Sequence, residues 1–216
     1  MKLLLREGSL YLYILGISAL ILFFINPLLV VLPLAIFFFL LFFFRDPVRE
    51  HPPEKDGEFV FLSPADGKVT AVDEVHEPYF IKGRAKLVTI FLSPLNVHVN
   101  RVPISGKVVR VEHKIGKFKP AYVVDAPSVN ERNYVALEND HIKCLLVQIV
   151  GVLARRVVCW VKPGDDVVRG EKFGLMKFGS CMQVFMPIEA ESRVKVGEHV
   201  IGGETVIGVI INEAVD

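Results

Sequence analysis

Gly179-Ser180 is the pair of residues in this chain with the most chemistry in reach. A serine hydroxyl can add to the carbonyl carbon that precedes it, and glycine leaves that carbon unshielded and its backbone easily distorted. Loss of the amide nitrogen then turns the peptide bond into an ester. If a base removes the serine α-proton, the ester leaves by β-elimination and the chain is cut. The dehydroalanine left at the new N-terminus hydrolyses to a pyruvoyl group, so the protein would build its own carbonyl cofactor. The dipeptide alone does not specify this: Gly8-Ser9 repeats it where no such chemistry fits, and a turn between strands accounts for it equally well. What decides is the company it keeps elsewhere in the chain.

Two other stretches carry polar residues suited to that chemistry. Ser63-Pro64-Ala65-Asp66-Gly67-Lys68 sets Asp66 at a turn, where an aspartate commonly bonds its own backbone. Asn96-Val97-His98-Val99-Asn100-Arg101 places Asn96, His98 and Asn100 on one face of a strand by the two-residue period, and predicts a polar-lined cleft. Each stretch taken singly has an ordinary structural explanation. The remaining histidines, His51, His76, His113, His141 and His199, show no ligand spacing, and Cys144, Cys159 and Cys181 form no C-x-x-C pair, so no metal site is expected. Cys181 is an intrinsically better nucleophile than Ser180 but lacks the preceding glycine carbonyl, and reads as a bystander.

These residues need elements to position them, and the chain has two kinds. From Leu10 to Phe44 there is no charged residue. One straight helix of that length would run roughly 50 Å, beyond the ~30 Å hydrocarbon core of a bilayer. Asn26-Pro27 interrupts it near the middle, leaving two apolar halves each slightly short for a span. Lys2 and Arg6 flank one end and Arg45 and Arg49 the other, which predicts two short spans or a re-entrant hairpin with both basic ends on the cytoplasmic face. A secretory signal fits less well, because the run ends in Phe42-Phe43-Phe44-Arg45 rather than in small residues. The expected division is a membrane anchor over 1–45, a proline-rich linker over 46–57 and a β-rich domain over 58–216. A formal net charge of +1 argues against a nucleic-acid partner.

Short Val/Ile/Phe-rich runs broken by Gly, Pro, Asn and Asp predict strands over 59–63, 68–75, 86–93, 97–102, 107–114, 133–138, 142–150 and 153–161, with a tight turn at Asn139-Asp140. Two weak repeats sharpen this. Asp66-Gly67-Lys68-Val69 is echoed by Ser105-Gly106-Lys107-Val108, and the pattern V-K-x-G-[D/E]-x-V-[V/I]-x-G-E occurs at 161–171 and again at 194–204. Such pairing suits a mainly β sandwich or flattened barrel with quasi-twofold structure, similar to lipoyl and biotinyl carrier folds, preceded by the hydrophobic helical hairpin.

Taken in order, Ser-Pro-Ala-Asp-Gly at 63–67, Asn-Val-His-Val-Asn-Arg at 96–101, Gly-Lys-Phe at 116–118, Asn-Glu-Arg-Asn at 130–133, Ala-Arg-Arg at 154–156 and Gly-Leu-Met-Lys-Phe-Gly-Ser at 174–180 resemble the short form of the phosphatidylserine decarboxylase family. The resemblance implies a proenzyme cut between Gly179 and Ser180 into a β chain, 1–179, and an α chain, 180–216, that begins with a covalent pyruvoyl group. It implies decarboxylation of a serine phospholipid through a Schiff base, in the cell membrane, with the two chains staying associated. The same chemistry would serve an archaeal ether-linked serine lipid. The resemblance also implies Asp66 as an orienting carboxylate; His98 is the natural base, and either it takes the role that the longer relatives give to a second histidine or cleavage works differently here, with Arg101 holding a carboxylate or phosphate. Longer relatives carry His-x-x-His-x-Pro, and the second histidine position here is Arg101, a poor base. Lys114, Lys117, Lys119, Arg155 and Arg156 are candidate head-group contacts. Two further readings stand beside this one. Met176-Lys177 resembles the swinging-lysine site of a carrier domain, which would make the chain a membrane-tethered carrier; a partner-binding membrane protein would show no cut and no reactive carbonyl.

Overall fold

The computed structural model describes residues 7–55, 57–118, 129–151, 157–177 and 180–211. The chain divides into a helical unit, 1–48, and a β unit, 49–216. In the first, α1 (Ser9–Ile25) ends at Asn26, whose side-chain oxygen accepts from the Leu28 amide and opens a 3-10 turn (Pro27–Val30) into α2 (Val31–Phe43). The break falls where Asn26-Pro27 predicts it, since proline has no amide to donate into the preceding turn. At 17 and 13 residues the helices are roughly 26 Å and 20 Å long. Among the described residues no helix is long and apolar enough to cross a membrane.

The β unit begins with β1 (Glu58–Leu62), β2 (Gly67–Glu77), β3 (Gly83–Leu92) and β4 (Val99–Arg101). It continues with β5 (Gly106–Lys114), β6 (Arg132–Glu138), β7 (Lys143–Ile149), β8 (Val157–Cys159) and β9 (Asp166–Val167). It ends with β10 (Lys172–Met176), β11 (Ser180–Pro187), β12 (Glu191–Ser192), β13 (His199–Val200) and β14 (Val206–Ile211). Eight of these form one antiparallel sheet in the order β13-β2-β3-β11-β7-β6-β5-β9, flanked by two small sheets, β1-β14-β12 and β4-β10-β8. The core lies on one face of the large sheet, where Val69, Ile90, Leu146, Met182 and Val184 meet Phe61 of β1, Phe173 of β10 and Ile207 of β14. The opposite face carries a smaller cluster of Leu145, Val147, Ile149 and Cys181 under Tyr134 and Phe185.

The mainly β prediction holds, and its strands recur with ends shifted by a few residues. The Asn139-Asp140 turn is a hairpin of four loop residues, in which the Asn139 carboxamide oxygen accepts from the His141 and Ile142 amides. The predicted strand over 153–161 is present as Val157–Cys159, residues 152–156 lying outside the described ones. The second repeat is visible as geometry. Gly164 and Gly197 occupy equivalent positions with φ of 96° and 99°, as do Gly170 and Gly203 with 82° and 80°. These are left-handed conformations that favour glycine. The strands that follow pair alike: Val167 sits opposite Gly106 and Val200 opposite Gly67, so each copy of one repeat docks on a copy of the other.

Candidate active site

β11 is the strand that carries the candidate nucleophile, and it lies in the middle of the large sheet. It pairs with β3 from Ser180 opposite Leu92 to Pro187 opposite Ala85, and with β7 from Cys181 opposite Ile149 to Phe185 opposite Leu145. By the strand period, Ser180 shares the core face with Met182 and Val184, while Cys181 takes the other. The strand before it, β10, belongs to a different sheet, between β4 and β8. Met176 and Ser180 thus belong to different sheets; Phe178 and Gly179 lie outside the described residues.

Ser180 is fully buried, and its Oγ has no hydrogen-bond partner among the described residues. Buried hydroxyls are ordinarily paired, as Ser63 Oγ is with the Ala65 carbonyl at 2.7 Å, so an orphaned one marks a place where something else is meant to happen. The neighbouring Cys181 is no rival. Burial pushes its thiol up to about 12, so it stays protonated near neutral pH and faces away from the core.

His98 is fully buried beside the approach to this crossing, because its carbonyl accepts from the Met176 amide at 3.1 Å as β4 runs along β10. Its Nδ1 lies 2.9 Å from the Asn96 carbonyl. A carbonyl only accepts, so Nδ1 donates; in the neutral ring this leaves the lone pair on Nε2, the tautomer a base requires. The predicted one-sided cleft is corrected here. Asn96 turns away to accept from the Ser93 amide and hydroxyl, while Val97, Val99 and Arg101 on the other face are as buried as His98 and Asn100. Two packed layers cover both faces of this short strand, which the alternating pattern does not reveal.

Asp66 accepts from Arg49 Nη2 at 3.0 and 2.8 Å through its two oxygens, and from the Gly202 amide at 2.8 Å. Arg49, expected as a flanking cation of the anchor, is thus used inside the β unit. The turn that holds Asp66 adjoins β4, since the Pro64 carbonyl accepts from the Arg101 amide at 2.9 Å. Arg101 is buried and bridges both repeat copies. Its Nη1 donates to the Gly170 carbonyl at 3.1 Å, and its Cδ lies 2.6 Å from where a Cβ on Gly203 would stand. That explains an arginine in the second histidine position as a strut between two turns.

Other expected residues fall elsewhere. Lys177 is 8% exposed and joins two sheets rather than capping a hairpin, so it cannot swing as a carrier lysine must. Lys114 lies over the Tyr79 and Tyr134 rings, on the sheet face that carries Cys181 and not Ser180. Lys117 is exposed, and Lys119, Arg155 and Arg156 lie outside the described residues. Two buried amides enter the site region: Asn133, quoted above only as part of a motif, and Gln148, which the sequence reading missed. Gln148 was detectable as the lone polar residue in Leu145-Leu146-Val147-Gln148-Ile149-Val150.

Fold and site define a β protein with an orphaned serine after a glycine, buried where two sheets meet. A family model described as phosphatidylserine decarboxylase matches residues 36–208. The phosphatidylserine decarboxylase proenzyme of Carboxydothermus hydrogenoformans is 46% identical over 204 residues, 94% of each chain. That of Syntrophus aciditrophicus is 43% identical over 206 residues, 94% of this chain and 95% of its own. That of Symbiobacterium thermophilum is 49% identical over 172 residues, 79% and 78% of the two. The chain belongs to the phosphatidylserine decarboxylase family.

Proposed function

We propose that this chain is a short-form proenzyme that cuts itself at Gly179-Ser180 and then converts phosphatidylserine to phosphatidylethanolamine and carbon dioxide. The observation that carries this is the buried, unpartnered Ser180 hydroxyl at the sheet crossing, in a chain matched over most of its length by enzymes named for that substrate. Those relatives are named proenzymes, which agrees with a processed chain.

A pyruvoyl group would fit the site, because its three carbons are those of Ser180 and its ketone oxygen takes the place of the departed nitrogen. It would supply a ketone carbonyl, an electrophile for the substrate amine and a sink for the electron pair left behind when carbon dioxide departs. The chain's own residues do the rest. His98, with its lone pair on Nε2, takes the Ser180 hydroxyl proton as Oγ adds to the preceding carbonyl. The Asn96 carbonyl orients the His98 ring through Nδ1, and Asp66 supplies the carboxylate in the turn beside β4, its charge held by Arg49 and the Gly202 amide. The buried surroundings of Ser180 exclude water, which protects the ester until elimination.

The helical unit is the membrane anchor in this reading. Leu10, Tyr13, Phe24, Leu28, Leu32 and Phe38 are all more than half exposed, an apolar surface that lipid would cover. Helices shorter than the ~30 Å core suit an element that enters one leaflet and returns, which leaves the β unit on the cytoplasmic side of the cell membrane. The proposal is tested by intact mass spectrometry of the denatured protein before and after a carbonyl-reactive hydrazine. The expected result is two chains split at 179/180, with only the 37-residue fragment gaining a hydrazone. A single uncut chain without an adduct would falsify the proposal.

A further inference from the structure

Much of the stretch expected as a linker is a strap within the β unit. Arg49 Nη2 donates to both Asp66 oxygens, at 3.0 and 2.8 Å, and Arg49 Nη1 lies 3.8 Å from Glu204 Oε2. The Glu50 amide donates to Glu204 Oε1 at 3.3 Å, and His51 Nδ1 donates to the Gly203 carbonyl at 2.5 Å. The His51 ring also covers Gly170, where an added Cβ would overlap it. Further along, Arg169 Nη2 donates to the Pro52 carbonyl at 2.8 Å, and Arg169 Nη1 lies 3.4 Å from Glu54 Oε1. Residues 49–54 thus cross from the turn of the second repeat copy, 201–204, to the turn of the first, 168–171. Pro52-Pro53 favour an extended path here, because a proline disfavours the helical region for the residue before it.

The two turns dock alike. The Gly203 amide donates to the Ser63 carbonyl at 2.7 Å, and the Gly170 amide to the Val102 carbonyl at 2.8 Å. At the second copy, however, the strap grips the candidate carboxylate. Asp66 Oδ1 accepts from the Gly202 amide as well as from Arg49, so the group is held by one residue N-terminal to it and by one C-terminal to Ser180. The Arg49 and Asp66 side chains are 9% and 15% exposed, which leaves little water to hold either charge if the other is withdrawn. Glu204 and the Gly203 carbonyl, on the same turn as Gly202, seat the strap that brings Arg49 there. Undocking that turn would remove the Gly202 amide and the seat of Arg49 together.

We propose that Arg49 is the positioning residue for Asp66 in self-cleavage, and that the strap makes the cut wait until the 201–204 turn has docked. The inference rests on Ser180 being the self-cleaving residue and on Asp66 supplying the carboxylate beside β4. Arg49 acts through Asp66. By bridging both oxygens it fixes the plane of the carboxylate, and Glu204 holds the guanidinium in that pose. The turn set in this way adjoins β4, the strand that follows His98, through the Arg101 amide and the Pro64 carbonyl.

Arg49→Met, Arg49→Lys and Glu204→Lys test this, together with the double variant Arg49→Met/Glu204→Lys. The full-length protein is pulse-labelled during cell-free synthesis with phosphatidylcholine vesicles. Appearance of the 37-residue fragment is followed by mass, and thermal melting reports whether each variant is folded. Arg49→Met should slow the cut by about 10-fold or more; Arg49→Lys, which keeps the charge but offers one nitrogen, should fall between it and the wild type. Glu204→Lys should slow the cut by about 5-fold by repelling Arg49, and should add nothing to Arg49→Met, because it acts through that residue. Cleavage of Arg49→Met at the wild-type rate overturns the proposal. So does equal slowing by methionine and lysine, the mark of a packing role, and so do effects that multiply in the double variant. If Arg49→Met does not fold, Arg49→Lys replaces it in the cycle, and effects that multiply again overturn the proposal. Wild-type protein that stays uncut sinks the reading of Ser180, and normal cutting by Asp66→Ser sinks that of Asp66; neither result involves Arg49.

Discussion

At equivalent points of the two repeat copies, a backbone amide meets a side-chain oxygen, but the oxygens differ in kind. The Gly202 amide donates to Asp66 at 2.8 Å, and the Arg169 amide donates to Ser105 Oγ at 3.0 Å. Both brace a turn against the strand that follows, β2 in one half and β5 in the other. A neutral hydroxyl suffices for that task, so turn-bracing does not require the charge on Asp66. The halves differ again one layer inward. β7 enters the large sheet from an exposed four-residue hairpin loop, and β11, its counterpart, enters from another sheet with Ser180 orphaned at its first position. What the halves share is scaffold; where they part company, the candidate chemistry begins.

That contrast can be broken most severely at Ser180. Ser180→Ala should abolish the cut and the reactive carbonyl, read by intact mass, whereas Ser105→Ala in the other half should leave cleavage untouched. Next comes Asp66→Ser, which copies the other half's solution. Melting should show a folded protein, and cleavage should slow by about 10²-fold or more, as removal of a group supporting acid–base chemistry does. Native cleavage in that variant would reduce Asp66 to a brace. The cations that hold each half differ less. Arg49→Met breaks a largely buried pair and should cost on the order of 2 kcal/mol in denaturant unfolding. Arg169→Met, whose partner Glu54 is half exposed, should cost about 0.5 kcal/mol.

The smallest effect is titration at Cys181. Burial raises its thiol from 9.0 to about 12 in the folded chain, so the unfolded chain loses its proton first. The stability this group contributes is fully present below pH 9 and is lost as pH rises toward 12. Cys181→Ala should flatten that alkaline limb of the stability curve.

The apolar break at Asn26-Pro27 and the strands up to residue 161 were legible because each is a local pattern: a missing amide, or a Val/Ile/Phe-rich run bounded by Gly, Pro, Asn or Asp. β11 was not. Ser180-Cys181-Met182-Gln183-Val184-Phe185-Met186 is covered on both faces and shows no alternation, so the central strand of the large sheet left no period to read. Ser180, His98 and Asn100 were picked out by residue type, but their partners were not. Gln148 is 48 positions from Asn100, and Arg49 is 17 from Asp66, separations that no window of pattern spans. The repeats were visible as sequence, with Asp66 and Ser105 already at matching positions, yet only the structure revealed that each accepts from a backbone amide of the other repeat.

The three pairings of the C-terminal segment have one more consequence. β11 is inserted between β3 and β7, β13 closes the edge at β2, and β14 lies beside β1. As one chain, the protein meets these partners by intramolecular search, at a cost set by loop length. Once cut at 179/180, the same strands belong to a separate peptide, and reassembly becomes an encounter between two molecules whose success falls with dilution. Self-cleavage would thus convert a protein that can refold alone into one that has only a single opportunity to do so, and its persistence afterwards would be governed by how slowly the central strand escapes rather than by how readily it returns.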